Sequence, residues 1–162
     1  MPGRLERLQS LKAEGKFIRF ATNQGGVAFD YLKEHEIQNE FMVMTREIGY
    51  PAGWNITHVC FTHPKSRIAK YTDVSNRRKP EPGMLIEAMR HEDVTPDQTI
   101  MIGDRPEDEQ AARAAGVDFM WADDFFKQDQ DATEDISPEA EIIMQNVDPS
   151  VRNAYEEEMV NP

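Results

Sequence analysis

Cysteine is almost absent: Cys60 is the single thiol in 162 residues, so an internal disulfide is excluded. That usage fits a reducing compartment, and the cytoplasm is the expected location. No apolar run approaches the roughly twenty residues a membrane span requires. The opening "MPGRLERLQSLKAEG" sets Leu5, Leu8 and Leu11 at helical spacing among charges, unlike the continuous apolar segment of a secretory signal. No membrane partner is therefore expected. Basic side chains are scarce, 18 against 30 acidic, for a net charge of −12. The deficit is local: residues 1–122 carry 16 basic and 18 acidic side chains, whereas residues 123–162 carry 2 and 12.

What remains is a nearly neutral body with one basic segment, Lys65, Arg67, Lys70, Arg77, Arg78 and Lys79. Such a segment attracts a phosphorylated ligand or, equally, forms a solvated loop. A chain of this length fits one domain and buries roughly 70% of its unfolded surface. Short β-rich runs alternate with helical patterns. The expected strands are 17–22, 57–62, 99–104 and 117–122, with 141–145 weaker, and the expected helices are 4–14, about 28–49, 83–91 and 106–115. This alternation predicts an α/β, Rossmann-like fold of three layers around a parallel sheet. Residues 1–126 form its core. Residues 127–162 are too acidic and polar for a second core and read as an extension with a peripheral helix or an interaction tail.

Ligands bind beyond the carboxyl ends of the strands in such sheets, so the residues after each strand deserve the closest reading. Thr22-Asn23-Gln24-Gly25-Gly26 follows the first run and offers a hydroxyl, a carboxamide and free backbone N–H groups, a geometry suited to phosphate or simply to a turn. In "RRKPEPGM" two prolines stiffen the approach to a helix and hold Arg78 and Lys79 just upstream. In "MIGDRPEDEQAA" Asp104 ends an apolar strand and Asp108 lies one helical turn later, so two carboxylates can converge on magnesium, a hard cation. A helix cap at the same place is the alternative.

The order Thr22, Lys79, Asp104 with Asp108 resembles the haloacid dehalogenase (HAD) superfamily of phosphotransferases over residues 3 to 126. More narrowly, "TNQGGVA", "RRKPEPGM", "GDRPEDEQAARAAGV" and "WADDFF" resemble the subgroup of histidinol phosphatases, heptose bisphosphate phosphatases and the 3′-phosphatase domain of polynucleotide kinases. The resemblance implies that Thr22 hydrogen-bonds the transferred phosphoryl group and that Lys79 neutralises it. It also implies that Asp104 holds magnesium with Asp108 supporting the metal shell, and that Arg78 contacts substrate. Some relatives hold zinc in the loop after the second strand. His58, Cys60 and His63 match only part of that pattern, short of the four ligands a structural zinc takes, so zinc is not expected.

Members of the family open with a strand ending in Asp-x-Asp, whose first carboxylate is the nucleophile, and nothing before Phe17 supplies it. The expectation is a core without its first central strand, between the strands at 17–22 and 99–104, and a phosphomonoester hydrolase domain that is inactive or incomplete as written. In a protease, losing the nucleophile of a concerted unit costs on the order of 10⁶ in turnover. Two alternatives stand beside it: a non-catalytic phosphate-binding remnant, and one part of a split enzyme completed by a strand-donating partner chain. With no room for more than a minimal cap between Thr22 and Lys79, the expected ligand is a phosphorylated small molecule or a 3′-phosphate nucleic-acid end.

Overall fold

The computed structural model describes residues 3–72 and 75–127. Helix α1 is Arg4–Ala13, strand β1 Phe20–Asn23, α2 Glu34–Glu47, β2 Thr57–Cys60, α3 Gly83–Glu92, β3 Ile100–Gly103, α4 Pro106–Ala115, β4 Asp118–Trp121 and α5 Ala122–Lys127. The sequence signals for α4 are all used. Pro106 occupies the first turn, where no N–H is needed, and Glu107, Asp108 and Glu109 face the positive end of the helix. Ala111 and Ala112 are fully buried, and Gly116 at φ 74° ends the helix in the left-handed region.

Several boundaries differ from expectation: β1 starts at Phe20 rather than residue 17, β2 ends at Cys60 rather than residue 62, and two further shifts involve helices. The helix expected from about residue 28 begins at Glu34, because the Gly25–Phe29 segment winds as a 3₁₀ turn and Asp30 at φ 62° breaks the path. The strand expected to run through residue 122 stops at Trp121, and "ADDFFK" forms α5. The weak strand expected at 141–145, and most of the acidic extension, lie outside the described residues.

Among the described residues the strands form two parallel pairs rather than one continuous sheet. Phe20 to Asn23 pair in register with Thr57 to Cys60, and Ile100 to Gly103 with Asp118 to Trp121. Strands β1 and β3 do not pair with each other, and the family resemblance implies a further strand between them. Alternation along the backbone fixes which groups point to the edge of β1 away from β2. The Gln24 N–H donates to the Cys60 carbonyl at 2.8 Å, so the Ala21 carbonyl faces the other edge of β1. There it accepts the Lys79 ammonium at 2.7 Å.

Helices α3 and α4 bridge the two pairs. Leu85 and Met89 from α3 meet Ala111 and Ala112 from α4, and Ala21 from β1 and Met101 from β3 both pack against this cluster. A second cluster, Val27, Ile37 and Val59, holds α2 on β2. Ile100, on a strand, is nevertheless 48% exposed. Among the described residues no helix is long and apolar enough to cross a membrane.

Candidate active site

Three segments far apart in sequence meet at one point. The Asn23 side chain, at the end of β1, accepts from the Lys79 N–H at 3.0 Å and donates to the Lys79 carbonyl at 2.9 Å. The Lys79 ammonium reaches the Ala21 carbonyl and, at 2.5 Å, Asp108 Oδ1 on α4. Both side chains are nearly sealed from solvent, 11% exposed for Lys79 and 5% for Asp108. An ammonium has three N–H donors and two are used here, so a third remains for an anionic ligand.

Asp108 serves more than one partner. Its second oxygen, Oδ2, accepts the backbone N–H of Asp104 and of Arg105, both at 3.1 Å. The carboxylate therefore caps the start of α4 and fixes the turn that carries Asp104. This turn can close only over a glycine. A Cβ on Gly103 would lie 2.3 Å from the Asp108 Cβ and 2.7 Å from its Oδ2.

Thr22 is half-buried on β1, and its Oγ1 accepts from Gln24 Nε2 at 3.1 Å. Because that bond uses a lone pair, the hydroxyl hydrogen is left to donate to a ligand oxygen. Arg78 is anchored by NH1 on the Thr62 carbonyl at 2.8 Å, beside the loop that follows β2. Asp104 is exposed and lines a cavity of about 280 Å³ with Trp121, Ala122, Asp123, Asp124 and Lys127. Among the described residues no three His, Cys, Asp or Glu side chains converge as a metal cluster. Asp104 by itself still fits magnesium, which takes one or two carboxylates together with waters and substrate phosphate.

The residues considered for zinc have other contacts. His58 Nδ1 faces Glu87 at 3.4 Å, Cys60 Sγ lies 3.3 Å from Thr62 Oγ1, and His63 Nδ1 accepts from the Lys65 N–H at 3.0 Å. Burial pushes both imidazoles below the ordinary histidine value. The nearby cations Arg19 and Arg77 add to this at His58, against the opposing pull of Glu87, and Arg78 and Lys65 add to it at His63. The folded chain thus resists protonation that the unfolded chain accepts. Stability should be complete above about pH 6.5, the ordinary histidine value, and fall as the pH drops below it. Urea unfolding at pH 7.5 and 5.5 checks this, with a lower midpoint expected at the acid value.

Of the residues singled out in the sequence, Thr22, Asn23, Arg78, Lys79, Asp104 and Asp108, the structure bonds Asn23, Lys79 and Asp108 directly together. Sequence reasoning missed the Ala21 carbonyl, the part played by Gly103, and Trp121 and Lys127 in the cavity wall. A signal for Gly103 was present, since glycine interrupts an apolar strand just before an acidic turn.

Comparison with known proteins identifies the family. The family model described as "Haloacid dehalogenase-like hydrolase" matches residues 27–122. A D-glycero-beta-D-manno-heptose-1,7-bisphosphate 7-phosphatase from Pasteurella multocida is 30% identical, covering 71% of this chain and 62% of that protein. Its namesake from Rhodopseudomonas palustris is 31% identical, covering 72% and 66%. The chain thus spans just under two thirds of the length of these relatives. A crystal structure of D,D-heptose 1.7-bisphosphate phosphatase from B. bronchiseptica, complexed with magnesium and phosphate, superposes with a TM-score of 0.60 at 21% identity, covering 97% of this chain and 84% of that one. With the family model spanning α2 to β4 and the shared α/β fold, this chain belongs to the haloacid dehalogenase-like hydrolases.

Proposed function

We propose that this chain carries the phosphate-binding and metal-supporting part of a magnesium-dependent phosphomonoester hydrolase acting on a phosphorylated small molecule. The carrying observation is the convergence of β1, the Lys79 loop and the start of α4 on one buried ammonium. In this reading Thr22 donates its hydroxyl to a phosphoryl oxygen, and Lys79 uses its remaining N–H to offset the negative charge. Asp108 holds Lys79 and the Asp104 turn in place. Asp104 would hold magnesium, and the ion, when bound, neutralises and orients the phosphoryl oxygens. The relatives named as heptose bisphosphate phosphatases favour a phosphorylated sugar over a nucleic-acid end.

The reading also assigns the nucleophilic carboxylate to a further strand seated between β1 and β3, whether joined to this chain or donated by another. Its support is that β1 and β3 do not pair with each other and that Ile100 on β3 is exposed. Residues 1–162 are then expected to release no phosphate above an Asp104→Asn control in magnesium. The assay uses sugar phosphates, other small phosphomonoesters and a 3′-phosphorylated oligonucleotide, with release restored by a peptide supplying an Asp-x-Asp strand. Turnover by residues 1–162 that Asp104→Asn abolishes would place a nucleophile within this chain and contradict the strand assignment. Phosphate binding with no turnover under any strand addition would leave a binding module in place of a hydrolase.

A further inference from the structure

Lys79 lies in a loop whose other internal hydrogen bonds close it upon itself. Gly83 N–H donates to the Asn76 carbonyl at 2.8 Å and Glu81 N–H to the Arg78 carbonyl at 2.8 Å. Pro80 follows Lys79 and has no N–H to offer. The Asn23 carboxamide ties this loop to β1 without consuming the ammonium. Its two bonds fix its orientation, because a flipped amide would set two donors and two acceptors face to face.

We propose that Asn23 is a positioning residue, a side-chain clamp that holds the Lys79 backbone against β1 so that the ammonium is aimed at the phosphate position. This rests on the phosphate-site reading above and deepens it. Lys79 takes the Asn23 oxygen and one of its two amide hydrogens, which holds the carboxamide along the Lys79 backbone. A lysine has a flexible four-carbon stem, and its aim is set by where its Cα is held. The clamp makes that aim independent of whether the ammonium is bonded to Asp108, Ala21 or ligand.

The test compares wild type, Asn23→Ala and Lys79→Met by two readouts. In limiting acetylation with an N-hydroxysuccinimide ester and peptide mass spectrometry, Lys79 is nearly sealed in the wild type and Lys65 is an exposed internal reference. Loss of two backbone hydrogen bonds should raise Lys79 labelling relative to Lys65 by about tenfold or more. Calorimetric titration with inorganic phosphate should show Asn23→Ala weakening binding by about tenfold, with less than about twofold further loss when Lys79 is already Met, since the two act as one unit. If Asn23→Ala does not fold, Asn23→Asp, which keeps the acceptor for the Lys79 N–H, should show an intermediate labelling ratio. An unchanged ratio, or a rise shared by all lysines, would overturn the clamp. A wild type that binds no phosphate would defeat the phosphate-site reading instead, and the labelling ratio would still decide the clamp.

Discussion

Asp108→Ala is expected to lower the stability of the fold by about 3–5 kcal/mol, the range for removing one partner of a buried ion pair. The cost arises on two sides. Lys79 is left with a buried ammonium bonded only to the Ala21 carbonyl, and the Asp104 and Arg105 N–H groups lose their acceptor at the start of α4. Urea denaturation measures the loss. Adding Lys79→Met to Asp108→Ala should recover part of it, because the uncompensated charge is then gone, so the double variant should be more stable than the sum of the single losses implies. Additivity would mean that the pair is not coupled. A loss under about 1 kcal/mol, the range of an exposed pair, would contradict the buried geometry.

Gly103→Ala should cost about 3 kcal/mol, the upper range for overpacking a tight interior. The methyl group would meet the Asp108 side chain at 2.3 Å, and neither partner is the far end of a flexible chain. Relief requires Asp108 to swing away, which breaks its bonds to Lys79 and to the Asp104 turn together. The effect should therefore reach phosphate affinity as well as the unfolding midpoint. By contrast, Gly116→Ala alters a helix end at φ 74° whose Cβ would meet nothing closer than 4.0 Å, and it should lower stability while leaving phosphate affinity unchanged.

The fold was readable where local chemistry decides structure. Pro106, the acidic first turn and Gly116 mark α4 unambiguously, and the β-rich runs mark four strand positions. The reading failed where local signals conflict. The helical pattern from residue 28 is cut by the Gly25–Phe29 turn and the left-handed Asp30, and a periodicity count gives such a conformational break little weight. Ala122 likewise moves from the expected strand end to the first residue of α5, a one-residue shift at the end of a short apolar run.

The site was readable in outline because strand ends are where a parallel sheet exposes its functional groups, and Thr22, Lys79 and Asp104 all follow from that rule. The division of labour among them was not. A carboxylate one helical turn beyond Asp104 satisfies the pattern for a metal ligand and for a cap alike, and only the folded chain shows Asp108 bonded to two backbone N–H groups and an ammonium. Asn23 likewise reads as part of a phosphate loop, and nothing local marks that a segment 56 residues away bonds its oxygen and one of its amide hydrogens.

The most direct measurement is calorimetric titration of residues 1–162 with inorganic phosphate beside Lys79→Met. The account predicts saturable binding by the wild type, weakened about tenfold or more when the ammonium is removed, as expected for a lost charge-assisted hydrogen bond. Equal binding by both proteins would mean that the buried ammonium at the edge of β1 is not the centre of a phosphate site.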